Sequence, residues 1–174
     1  CDQAVGVNVG GDVALTDEVR DKGIRLRTSV KTSTFYMGFS MLDPVVGGLS
    51  PRSTRLRQAI SIAIDQEEYI SIFSNGRGIA AQGPLPPGIF GYEDGEQGID
   101  GAVYDWVDGK PQRKPVEVAR KLMIEAGYPN GRDEKTGEPL VLYLDTTGGG
   151  MGEKSRLDWL TRQFAKVDIQ LVVR

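Results

Sequence analysis

The chain has no histidine and a single cysteine, Cys1, among its 174 residues. Without His it lacks the commonest general base near neutral pH and the commonest transition-metal ligand. One Cys excludes an internal disulfide. No apolar run reaches the ~18 residues that would read as a membrane helix. A basic excess is also missing: the formal net charge is −3 and the isoelectric point about 5.1. The lysines and arginines are scattered singly among acids, which argues against a nucleic-acid surface. The opening CDQAVGVNVGGDV has no basic region followed by an apolar core, so it does not read as a signal peptide. Cys1 followed by Asp2 is compatible with the lipid-bearing start of a bacterial lipoprotein. The residues after it, however, do not read as a flexible tether.

What is present is an ordinary globular composition, 39% hydrophobic and 26% charged, enough for a core without disulfide or metal. The length suits one domain spanning 1–174, with 1–23 as a lead-in. Thr16 to Lys22 reads as a short helix stopped by Gly23. Ile24 to Lys31 alternates apolar and polar residues, the pattern of a half-buried strand. Thr34 to Leu42, TFYMGFSML, is apolar on both faces and reads as a more deeply buried strand. Alternation puts Phe35 and Phe39 on one face and Tyr36 on the other. These aromatics suit a core better than a ligand platform.

Ser53 or Thr54 can cap the next helix, whose stripe is Leu56, Ala59, Ile60, Ala63 and Ile64. Asp65 with Glu68 has a capping-box arrangement, which predicts a break and a second short helix through Phe73. Ala80 to Gly91 holds three prolines and three glycines and reads as an ordered loop. Glu93 to Lys114 reads as acidic and loop-rich, with Tyr92, Tyr104 and Trp106 as loop aromatics suited to stacking on a sugar or peptide. Its EDGEQGID segment lacks the ligand order of a calcium loop. Pro115 and Gly127 bracket a helix with stripe Val118, Ala119, Leu122, Met123 and Ala126. The tail reads as a buried strand (Leu140 to Asp145), a glycine-rich loop, a helix (Glu153 to Lys166) and a last strand (Ile169 to Val173). That order predicts a crossover between parallel strands. The chain stops one residue after a strand, which suggests a piece of a longer protein.

Thr146 to Ser155, TTGGGMGEKS, sits between strand and helix, the context of a phosphate loop. The spacing fails both common patterns. Glu153 separates Gly152 from Lys154, and Gly148, Gly150 and Gly152 run GxGxG. The loop still lies at the carboxyl end of a strand, where open α/β sheets hold ligands. A ligand loop and a plain surface turn both fit. Catalysis has little to work with: Lys154 and Ser155 are adjacent, so their side chains diverge on a helix.

The order of the pieces is distinctive. TFYMGFSMLDP precedes LRQAISIAIDQEEYI, then GRGIAAQGPLPPGIFGY, VEVARKLMIEAGYPNG, PLVLYLDTT and a helix running into FAKVDIQLVV. From about Gly23 to Arg174 this resembles the bacterial extracellular solute-binding proteins of family 5, the oligopeptide-, dipeptide- and nickel-binding components of ABC importers. Members usually carry Asn where this chain has Ser40. The resemblance implies an α/β fold: one lobe of a type II periplasmic binding protein, a mixed sheet flanked by helices, truncated after its last strand.

It further implies a non-enzymatic protein without a cofactor or metal site here. Such a protein closes two lobes on a peptide and passes it to an ABC permease. It would be periplasmic, or membrane-anchored outside a Gram-positive cell. An oligosaccharide ligand is the alternative within the family, and a nucleotide-dependent enzyme using 146–155 is the rival outside it. The expected cleft residues are Phe39, Ser40 and Met41 near the hinge, with Thr146, Thr147 and Gly150 in the glycine loop. An acidic residue that grips a peptide's amino terminus would lie beyond Arg174, so the piece alone is expected to bind far more weakly than its parent.

Overall fold

The computed structural model describes residues 15–25, 30–146 and 152–174. The chain divides into two compact units. One comprises 1–34 and 66–92; the other comprises 35–65 and 93–174.

The first unit contains α1 (Asp17–Asp21) and α3 (Gln66–Ser74). In α1, Asp17 and Glu18 sit in the first turn, where carboxylates suit the helix dipole. Tyr69 and Phe73, one turn apart on α3, bring their rings to 5.0 Å. Asn75 and Gly76 at φ 49° and 71° end that helix. The Pro- and Gly-rich run that follows is a loop, as its composition predicts, and it leaves Ile79 and Phe90 exposed. Of the strand expected over Ile24 to Lys31, residues 26–29 lie outside the described residues. Ile24, Arg25, Val30 and Lys31 are not in a strand.

The second unit is built on α2 (Pro51–Ala63) and α4 (Val116–Glu125), which pack most extensively on each other. The α2 cap is Ser50, whose hydroxyl accepts the N–H of Ser53 at 3.1 Å, with Pro51 in the first turn. The cap thus falls a turn earlier than the Ser53 or Thr54 expected. Leu56, Ala59, Ile60 and Ala63 are buried as the stripe predicts. The helix stops at Ala63 and α3 starts at Gln66, so the break expected at Asp65 is present. On α4, Ala119, Met123 and Ala126 are buried. Its end is a Schellman turn: Tyr128 N–H donates to the Met123 carbonyl, and Gly127 N–H to that of Ile124.

Before α4 in sequence comes a hairpin, β1 (Tyr104–Val107) antiparallel to β2 (Lys110–Arg113), closed by Asp108-Gly109 at φ 51° and 78°. This corrects the loop expected over 93–114. Asp-Gly is a favoured two-residue hairpin turn. Tyr104 is buried, not a loop aromatic. Arg113 holds it, donating to the Tyr104 hydroxyl at 2.7 Å and to the Ser61 and Ile62 carbonyls at the end of α2.

The tail forms β3 (Val141–Leu144), α5 (Glu153–Ala165) and β4 (Gln170–Val173), with β3 parallel to β4 in register Val141↔Gln170 to Leu144↔Val173. The α/β class and the parallel crossover hold. The described strands form two small two-stranded sheets, one antiparallel and one parallel. Only one face of β3 is buried: Leu142 is covered while Tyr143 is 57% exposed, with Arg174 stacked 3.7 Å from its ring. Trp159 and Gln163 on α5 are buried, and Gln163 Oε1 accepts the N–H of Asp65 at 3.4 Å. Among the described residues no helix is long and apolar enough to cross a membrane.

An ion pair ties the N-terminal turn of α2 to the loop after α4. Arg52 donates to Asp133 at 2.6 Å and stacks over Tyr128 at 4.5 Å. Asp133 also accepts the N–H groups of Lys135 and Thr136 at 2.8 and 3.1 Å. Those two N–H groups, Lys135 first, and the Arg52 guanidinium hold its carboxyl below the usual range.

Candidate functional site

Two places carry the expected cleft residues, and those residues all belong to the second unit. The first is in the run 34–42, of which 35–42 belong to that unit. The run is not a strand: residues 34–40 have no regular structure and 41–42 begin a turn, and it is mostly exposed rather than buried. Phe35, Tyr36 and Leu42 are 96%, 89% and 96% exposed. Residues 35–39 make no backbone hydrogen bond with any described residue. The aromatic content suits a sheet interior, but a strand also needs neighbours to accept and donate along its edges. Among the described residues none does so here. Met37 and Phe39 are the exceptions, packed partly buried on the core. Phe35 therefore does not share the buried face of Phe39.

The chain then closes a tight loop. Asp43 N–H donates to the Ser40 carbonyl, Gly47 N–H to the Asp43 carbonyl and Gly48 N–H to the Met41 carbonyl, at 3.2, 2.9 and 3.0 Å. The Asp43 carboxylate accepts the N–H groups of Val45 and Val46 at 2.8 and 2.9 Å. Val46 is buried and pins the loop to the core. From α2, Arg57 donates to the carbonyls of Val46 and Gly48 at 2.5 and 2.9 Å and to the Thr54 hydroxyl at 3.3 Å. The result leaves Ser40 exposed and Met41 47% exposed at the loop's mouth, beside the half-buried Phe39.

The second place is the end of β3. Pairing continues past the strands: Arg174 N–H donates to the Leu144 carbonyl and Thr146 N–H to the Arg174 carbonyl. Thr146 is exposed, and its hydroxyl donates to Glu153 Oε1 at 3.2 Å in the first turn of α5. Thr147 and Gly150 lie outside the described residues. Among the described residues no group of three or more Cys, Asp or Glu is placed to hold a metal ion. Sequence reasoning singled out neither Asp43 nor Arg57. The signal for Asp43 was readable, because Asp followed by Pro and a Gly pair marks a side-chain-closed turn. Arg57 had none, since its partners are backbone carbonyls.

The sequence model of the bacterial extracellular solute-binding proteins, family 5, middle region, matches residues 7–174. A protein of Haemophilus influenzae named heme-binding protein A is 32% identical over 108 residues, which is 62% of this chain and 17% of the relative. Di/tripeptide-binding protein 2 of Pseudomonas aeruginosa is 30% identical over 103 residues, 59% of this chain and 16% of the relative. The chain thus spans about a sixth of the length of these relatives. Among solved structures, the oligopeptide-binding protein AppA of Bacillus subtilis, in complex with a nonapeptide, matches with a TM-score of 0.52 at 22% identity. That match covers 69% of this chain and 22% of AppA, and it shows the shared fold. With the family model matched across nearly its whole length, the chain belongs to the bacterial extracellular solute-binding proteins, family 5.

Proposed function

We propose that this chain forms part of one lobe of a non-catalytic binding protein outside the cytoplasm. That protein closes on a peptide and delivers it to an ABC permease. Family membership supports the binding role. The observation that carries peptide as the ligand is the run 35–39, whose backbone N–H and C=O groups have no backbone partner among the described residues. An extended peptide can pair with such an edge strand to strand, leaving its side chains in roomy pockets. Phe39, Ser40 and Met41 would line the cleft on this side. Thr146 would approach from the end of β3, and Thr147 and Gly150 are the further cleft candidates. A relative named for di- and tripeptides fits this reading.

The test is a thermal-shift screen of the full-length protein against di-, tri- and pentapeptides, haemin, maltotriose and ATP with magnesium. A ligand that binds only the folded state at a hundredfold its Kd adds about 2.7 kcal/mol. The expected result is a rise in melting temperature with peptides. A rise with haemin, maltotriose or ATP alone would overturn the peptide assignment.

A further inference from the structure

Arg57 is a half-buried charge whose partners are two backbone carbonyls and a hydroxyl. No carboxylate among the described residues pairs with it. Its neighbours on α2 behave differently: Arg52 pairs with Asp133, and Arg55 with Glu125 at 3.1 Å. Those two tie scaffold to scaffold. Arg57 instead directs charge-assisted hydrogen bonds at one short loop, on Val46 and Gly48. The Gly48 N–H returns to the Met41 carbonyl, so the chain Arg57–Gly48–Met41 is continuous. The Asp43 carboxylate sets the loop's curvature from inside. Gly47 fits because a Cβ there would overlap the carbonyls of Asp43 and Met41.

We propose that Arg57, acting through the 41–48 loop, is the positioning residue that fixes Ser40 and Met41 for ligand. This rests on the peptide-cleft reading above. Ser40 and Met41 are exposed, and residues 35–39 have no backbone partner among the described residues, so this loop and the packing of Phe39 are what hold their direction. Presenting them already ordered spares the ligand part of the entropy cost of arranging them. Lysine is a poor substitute, because a single ammonium lacks the planar fork that reaches two carbonyls and a hydroxyl together.

The test measures the Kd of the full-length protein for trialanine by calorimetry, with melting temperature alongside. R57Q removes the clamp, R57K restores the charge without the fork, and G47A opens the loop without touching α2. R113Q is the control, because Arg113 is a comparable staple that holds the β1–β2 hairpin instead. The expected result is a Kd raised about tenfold or more in R57Q and G47A, and less in R57K. R113Q should lose melting temperature yet keep its Kd within about twofold. If R57Q does not fold, G47A alone decides. Wild-type affinity in the variants that fold, or an equal loss in R113Q, would overturn the positioning role. Failure of the wild type to bind trialanine or any other peptide would instead contradict the cleft reading, and the positioning role would fall with it.

Discussion

Asp133 shows how one side chain can serve two structures at once. Its carboxylate closes its own turn on the N–H groups of Lys135 and Thr136 and anchors Arg52 on α2. Its folded pKa lies below the ordinary aspartate range, so its contribution is fully present above that range and is lost as pH falls through the lower folded pKa. Replacing it with Asn keeps an acceptor for the turn but removes the charge. Melting curves across an acid pH series should therefore show D133N less stable than wild type near neutrality, with the difference closing at the acid end. A constant gap at every pH would mean that packing, not ionisation, is responsible. At the same scale, the candidate residues differ in how they are held. Phe39 leans on the core, Ser40 and Met41 depend on the loop, and Thr146 is tied to Glu153.

Among the elements, legibility followed how locally each was decided. Helix α4 carries its stop signal and apolar stripe in its own sequence, and the α2–α3 break is written in the acids that follow Ile64. The end of β3 and the crossover to β4 were readable for the same reason. The run 34–42 was misread because a strand is a property of a pair, and the aromatic pattern says nothing about whether a neighbour is present. The hairpin 104–113 was missed although Asp108-Gly109 announces it, because Pro111 and the surrounding charges mask the alternation. The turn after α4 supplies a test of element-level constraint. Gly131 and Gly137 both sit at positive φ, 66° and 71°. A Cβ on Gly131 would run into the Asp168 carbonyl, whereas one on Gly137 meets open space. Both alanine variants incur the left-handed cost of about 1–2 kcal/mol, but only G131A adds a backbone clash. Urea unfolding should rank G131A well below G137A; equal losses would show that the Gly131–Asp168 approach relaxes freely.

At the scale of the whole molecule, the second unit is a packed scaffold, with Leu56, Ile60 and Val167 fully buried. Apolar side chains such as Phe35, Tyr36 and Leu42 nevertheless stand in solvent. The scaffold's helices and arginine clamps fix one loop mouth and one strand end. The proposed cleft uses these two places. Family and fold class were readable from the order of the pieces, but the ligand was not, because a ligand held through backbone groups leaves little signature in side chains. The most direct measurement of the central claim is amide hydrogen exchange in the full-length protein, with and without a saturating peptide. The account predicts that the amides of 35–41 exchange more slowly once peptide is bound. Peptide binding that leaves those amides unchanged, with protection appearing elsewhere, would contradict it.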